Sequence, residues 1–354
     1  MKLPLSFAAI AVVWSTAALA DAPRVAATIK PIHSLVAAVM GDLGTPELIV
    51  DGGASPHTYS LRPSDASALE QADIVFWTGH GMELFLEEAL DSLAGDATVV
   101  ELADSPGIEL LPVREGGVFD AHVHDEDDDH GHDHDDHDDA HDGDDHDGHD
   151  HDAHDHDEHD HDGHDDDGDH DEAHADDEHA HDGGMDMHYW LDPVNAIHML
   201  EQIAVSLGEA DPDNAAAYLS NAKAAIGGLQ ALEAELGAQL APVRDAPFIV
   251  FHDAYQYFEH RFGLSIAGSI TVTPDTMPGA ARVVQIRERI ASAGAACVFA
   301  EPQFEPAIVD TIIEGTEARA GTLDPEGGTL AEGPELYPTL IRNLAASLVE
   351  CLER

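Results

Sequence analysis

Imidazole and carboxylate dominate the chemistry open to this chain. Of its 26 histidines, 19 lie between Asp120 and Asp182, in a stretch that also holds 32 acids and no Lys or Arg. Doublets such as His132-Asp133, His149-Asp150 and His159-Asp160 recur along it. That donor set suits zinc and related divalent cations. A solubilising acidic tract would account for the aspartates but not for so many histidines. No Phe, Tyr, Trp, Leu or Ile occurs over residues 121–187. With almost nothing to bury, residues 120–182 are expected to form a disordered His/Asp-rich metal-binding loop whose separate sites are weak.

Seven histidines remain outside that stretch: His33, His57, His80, His188, His198, His252 and His260. Three of them stand where a site could be built. His57 ends the Gly-rich run Asp51-Gly-Gly-Ala-Ser-Pro-His57, His188 sits in Met187-His-Tyr-Trp-Leu-Asp-Pro193, and His252 follows the apolar run Phe248-Ile-Val-Phe251. A lone histidine at a strand end is more often a hydrogen-bonded structural residue than a ligand. Three of them in a chain that also carries a histidine-rich tract point to metal. Zinc takes four ligands at about 2.0–2.2 Å, and without thiolates these are imidazole and carboxylate. Asp324, after the apolar stretch that runs to Leu323, is a candidate for the fourth place, with water as the alternative. Glu301, Asp253 and Arg62 are candidates to support the ligands, since an acceptor on the far ring nitrogen orients an imidazole. His33, His80, His198 and His260 read as structural or surface residues.

Short β-branched runs must position these groups. Strands are expected over 25–29, 48–50, 74–78 and 98–102, with helices over 34–40, 63–71 and 82–93. A second series has strands over 248–251, 265–270, 296–300 and 318–323, with helices over 254–262, 280–293, 305–317 and 337–351. Strand and helix in alternation give parallel sheets with crossover helices. The fold class is therefore α/β, with two lobes that each hold a mostly parallel sheet flanked by helices. In such sheets ligands collect outside the carboxyl ends of the strands, where His57, His252 and Asp324 all fall. Between the lobes lie helical patterns over 193–208 and 212–240. The second has Asp211 as its expected N-cap, Pro212 at its first position, and an apolar face through Leu219, Ala222, Ile226, Leu229, Leu232, Leu236 and Leu240. Its length of about 43 Å makes it a stiff strut between the lobes.

Charge and termini narrow the function further. The 354 residues carry 72 acids against 14 bases, a net −58, which repels nucleic acid. Lys2, an apolar run over 5–19 and Ala18-Leu19-Ala20 ahead of Asp21 read as a signal peptide cleaved after Ala20. A membrane anchor is the alternative, but the run is shorter than the roughly 20 apolar residues a spanning helix needs. The mature chain is thus expected in a bacterial periplasm. Cys297 and Cys351 then either pair or remain as two buried thiols. Pairing is favoured in an oxidising compartment, and closing a loop of about 54 residues would contribute on the order of 4 kcal/mol in the chain-entropy model.

Several stretches also match a known family. His57-Thr-Tyr-Ser-Leu-Arg-Pro-Ser-Asp65, Met187 to Pro193, Val250-Phe-His-Asp-Ala-Tyr255, Cys297-Val-Phe-Ala-Glu-Pro-Gln-Phe304 and Gly321-Thr-Leu-Asp-Pro325 resemble the zinc branch of the metal-binding solute-binding proteins that serve bacterial ABC importers. The resemblance covers nearly all of the mature chain apart from the length of the tract. It implies a cation held between two α/β lobes joined by a long helix, with ligands at His57, His188 and His252 and a disulfide between Cys297 and Cys351. It further implies capture of periplasmic Zn²⁺ and delivery to a membrane permease, with no enzymatic activity. Some zinc members carry a glutamate just before the first histidine, where this chain has Pro56, so the fourth ligand falls to Asp324 or solvent. The expected organisation is a signal peptide over 1–20, a first lobe over 21–119, the His/Asp-rich loop over 120–182, the end of the first lobe over 183–210, a linking helix over 211–241 and a second lobe over 242–354. The chain is expected to act as a monomer. Weighed against transport are zinc storage or buffering by the tract, manganese import, and a zinc hydrolase. The hydrolase is disfavoured because no His-Glu-x-x-His pairing is present, and manganese because three imidazoles make a softer set than that ion prefers.

Overall fold

Runs too short for a helix and buried on both faces make the centre of each lobe. The computed structural model describes residues 22–51, 53–114, 184–271, 278–304 and 307–353. The expected leader and the His/Asp-rich loop lie outside the described residues. In the first lobe the order is β1 (Val25–Ala27), α1 (Lys30–Met40), β2 (Glu47–Leu48), α2 (Pro63–Gln71), β3 (Ile74–Trp77), α3 (Leu84–Leu93) and β4 (Thr98–Glu101). A ribbon of β5 (Leu111–Pro112) and β6 (Met185–Asp186), then α4 (Pro193–Ala210) and α5 (Ala215–Leu240), lead to the second lobe. There follow β7 (Phe248–Val250), α6 (Gln256–Phe262), β8 (Ile266–Ser269), α7 (Ala280–Ala293), β9 (Cys297–Ala300), α8 (Ala307–Ile313), β10 (Arg319–Thr322) and α9 (Leu336–Leu352).

The two sheets are four-stranded and parallel, in the orders β2-β1-β3-β4 and β10-β9-β7-β8. Counted from each lobe's own first strand, these are the same order, so the lobes repeat one plan. Every residue of β3 and β7 is buried, as expected for parallel strands covered on both faces. The edge strands β4 and β10 alternate with or face solvent.

Helices α1, α4, α5 and α9 pack on one another and carry the main core from one lobe to the other. α1 is longer than the sequence pattern predicts. Pro31 sits in its first turn, where a missing N–H costs nothing, rather than ending the segment. α5 starts later than expected, at Ala215. Asp211 closes α4 instead of capping α5, and its carboxylate takes bonds from Asn214 Nδ2 and the Tyr218 hydroxyl. Tyr218 consequently replaces Leu219 on the buried face, and Leu219 is exposed. Gly315, at φ +79°, lies in the turn after α8, which stops at Ile313.

Buried and partly buried bonds cross between the lobes. Lys30 Nζ donates to the carbonyls of Gly328 and Leu330 at 2.9 Å each, and Ser34 Oγ donates to Gly333 O at 2.8 Å. Trp190 Nε1 donates to Pro325 O at 3.0 Å, and the Tyr337 hydroxyl to Trp190 O at 2.7 Å. Cys297 and Cys351 form a disulfide that fastens α9 to β9.

Candidate metal centre

His57, His188 and His252 reach one point from three unrelated segments. The pairing of β2 with β1 runs on through Ile49 and Val50, and the chain then turns through Gly53 to His57. Tyr59 anchors that loop: its hydroxyl donates to Asp65 Oδ2 at 2.8 Å and contacts Ile49 O at 3.1 Å, while its ring lies 5.2 Å from that of Phe85. His188 follows β6 and opens the short turn Tyr189–Leu191. His252 follows β7.

The second and third histidines are each held by a carboxylate. Asp186 Oδ1 accepts from His188 Nδ1 at 2.8 Å and from the His188 backbone N–H at 3.0 Å. Glu301 Oε1 lies 2.7 Å from His252 Nδ1. The sheet register explains the second contact. Phe248 pairs with Cys297, and carrying that offset past the strand ends sets His252 beside Glu301. An Nδ1–H bound to a carboxylate leaves Nε2 as a bare lone pair. Both Nε2 atoms face the same gap, 3.3 Å apart, and His57 Nε2 stands 3.3 Å from that of His188.

Lone pairs aimed at one another repel unless a positive charge lies between them. Bonds of about 2.0–2.1 Å meeting at a tetrahedral angle separate two nitrogens by roughly 3.3 Å, so the spacing is that of a tetrahedral ion. Among the described residues, these three form the group whose ligand atoms can share one metal ion, all lying within 4.8 Å.

Electrostatics keeps two of the rings ready to bind. Burial, followed by repulsion from His188 and His252, pushes His57 down from 6.5 to about 2. Burial and His252 hold His188 well below its usual value. Burial acts most strongly, to lower His252, but the Glu301, Asp253 and Asp186 carboxylates together outweigh it and the net shift is upward. Burial lifts the Asp186 carboxyl to about 7, and a cation on the far side of the His188 ring would favour its ionised form.

The remaining candidates stand elsewhere. Asp324 is outside the cluster, because its Oδ1 closes a turn by accepting from Gln303 Nε2 at 3.0 Å and from the N–H groups of Glu326 and Gly327 at 3.1 and 2.9 Å. Asp253 orients no imidazole; it pairs with Arg114. Arg62 pairs with Asp51 at the surface, 2.7 Å away. His33 is buried with Nε2 3.0 Å from Pro46 O, and the exposed His80 lies 3.3 Å from Glu87. Asp186 was not anticipated. Its spacing of two from His188 in an extended segment, which puts both on one face, is the signal that could have found it.

Two lobes of one repeated α/β plan, with three imidazoles converging from segments of both, define a metal-binding solute-binding protein. The chain belongs to the family described as ZnuA, zinc-uptake complex component A, periplasmic, whose model matches residues 25–351. It is 54% identical over 330 residues to the high-affinity zinc uptake system protein ZnuA of Brucella suis, covering 93% of this chain and 92% of that one. With the protein of the same name from Paracoccus denitrificans it shares 42% over 347 residues, or 97% of each. Among solved structures, a crystal structure of ZnuA superposes with a TM-score of 0.69 at 22% identity, over 94% of this chain and all of the other. A zinc-bound ZnuA lacking residues 138–173 of its own numbering gives 0.67 at 22%, over 94% and 98%. These structures share the fold.

Proposed function

We propose that this chain captures Zn²⁺ in the periplasm through His57, His188 and His252 and hands it to the membrane permease of an ABC-type importer. The observation that carries the reading is that His188 Nε2 stands 3.3 Å from the Nε2 atoms of both His57 and His252, with all three ligand atoms within 4.8 Å of one another, joined to membership of a zinc-uptake family. Three imidazoles favour zinc over harder ions such as manganese. Water takes the fourth position, since Asp324 is engaged in its own turn. The chain acts as a monomeric carrier and not as a catalyst, after removal of residues 1–20. Residues 120–182 collect further ions weakly. No helix among the described residues is long and apolar enough to cross a membrane.

The test is calorimetric titration of the full chain and of its His57→Ala/His188→Ala/His252→Ala variant with zinc. One tight site should vanish while the weak ones persist. If the tight site survived in the variant, the tract would be the seat of binding and the protein a buffer.

A further inference from the structure

The spacing of His188 and His252 depends on more than the carboxylate behind each ring, because the two sit on segments that no strand pairing joins. Asp186 belongs to the β5–β6 ribbon, which is only two residue pairs long, and His188 lies just past it. His252 belongs to the loop after β7. The ribbon must therefore be fixed against the second lobe by side chains.

Arg114 does much of this. It lies just past the ribbon, where Val113 N still donates to Gly184 O at 2.9 Å. Its guanidinium grips Asp253 with two N–H groups, Nε at 2.9 Å from Oδ2 and Nη2 on Oδ1. Nη1 donates to Glu259 Oε2 on α6 at 2.5 Å. Asp253 is the chain neighbour of His252, and Glu259 also takes the N–H of Ile266 at 2.8 Å, binding α6 to β8. All three charged side chains are largely buried, at 20%, 11% and 19% exposure. The Tyr257 hydroxyl completes the frame by donating to Asp186 O at 2.5 Å while accepting from Leu111 N at 2.8 Å. A chain of bonds thus runs from His188 through Asp186, Tyr257 and α6 to Glu259, Arg114, Asp253 and the backbone of His252.

We propose that Arg114 is a positioning residue for cation capture: it clamps the ribbon that carries Asp186 and His188 to the segment that carries His252, and so sets how slowly the bound cation leaves. This rests on the three-histidine reading above. Two acceptors approached at fixed angles, one of them by two parallel bonds, call for the planar fork of arginine, which the single ammonium of lysine does not reproduce. Metal sites need their donors held within about 0.5 Å, and a ribbon of two residue pairs does not supply that alone. Loosening the clamp lets the two Nε2 atoms separate, which opens the exit without altering encounter.

The experiment uses the full chain loaded with one equivalent of zinc and mixed with excess chelator, for wild type, Arg114→Lys, Arg114→Met and Glu259→Gln. Melting of the metal-free proteins and the visible bands of their Co²⁺ forms are recorded alongside. Both Arg114 variants should release the tightly held ion about tenfold faster, as outer partners of metal ligands usually require. Their cobalt bands should shift, and Glu259→Gln should show a smaller change in the same direction. Wild-type release and wild-type cobalt bands, with only a lowered melting temperature, would overturn the proposal by reducing Arg114 to a structural role. If Arg114→Met fails to fold, Arg114→Lys and Glu259→Gln decide the matter by the same readouts. The triple alanine variant runs in parallel. If it keeps the slow phase, the three-histidine reading fails; if it loses that phase while the Arg114 variants match wild type, only the role of Arg114 fails.

Discussion

His188 and His252 differ from His57 in how they are built. The first two are buried, carry carboxylates on Nδ1 at 2.8 and 2.7 Å, and sit on segments braced by Arg114 and Tyr257. His57 is half-buried on a loop, with no carboxylate on Nδ1 among the described residues. The difference teaches a division of labour. One pair of imidazoles is held by carboxylates, and the third is the less constrained. A carrier must both hold and release its cargo, and a site with one less constrained ligand offers release without disturbing the lobes, which buried and partly buried bonds tie together.

The largest effect should separate the two kinds of ligand. His188→Ala or His252→Ala should weaken zinc binding by more than the roughly 10–100-fold typical of outer partners. His57→Ala should cost less, and chelator competition should place its cost mainly in dissociation rate. Equal losses at all three positions would show that His57 is held as firmly as the other two.

Next come the carboxylates. Glu301→Gln and Asp186→Asn keep shape but remove charge, and each should lower affinity by about 10–100-fold. Because neither touches the ion, the loaded site should still scatter as three nitrogens around zinc. The pH dependence sharpens the same contrast. A ring must lose its proton to bind metal, and His252 is the member whose value is raised above 6.5, while His57 and His188 are lowered. As pH falls through the raised value of His252, that ring gains a proton which zinc must displace. Affinity of the tight site should then fall by about tenfold per pH unit, beginning above pH 6.5 and not at the lower values of the other two rings. In Glu301→Gln the onset should move to lower pH, as titrations in buffers of different ionisation enthalpy would reveal. The smallest change is expected for Asp324→Ala, under about threefold in affinity if water fills the fourth position.

Much of this architecture could be read from the chain alone, for definite reasons. The eight strands of the two sheets end within two residues of their expected bounds; β3, β4, β7 and β9 are rich in β-branched or aromatic residues, while β1, β2, β8 and β10 are carried by short apolar stretches between turns. The convergence of His57, His188 and His252 is legible because each follows an apolar run or precedes a capped helix. What escaped depends on long-range register or on elements too short for periodicity. The ribbon of Leu111–Pro112 with Met185–Asp186 has no pattern to detect, so nothing in the sequence points to a role for Arg114. Asp253 and Glu301 were equal candidates to hold a ring. The alternation of sides after β7 gave Asp253 to Arg114, and the offset between β7 and β9 gave Glu301 to His252. Helix α5 starts three residues later than expected because the Asp211 backbone closes α4, and the Asp211 carboxylate bonds Asn214 and Tyr218 at the start of α5 without capping it at Pro212.

The central claim is that one cation sits at the meeting point of three ring nitrogens. Crystals of the full chain loaded with one equivalent of zinc, measured on either side of the zinc edge, test it most directly. A single strong anomalous peak about 2.0–2.1 Å from Nε2 of His57, His188 and His252, with a water oxygen as the fourth neighbour, is the expected result. A principal peak elsewhere, or one that contacts fewer than two of these rings, would contradict it.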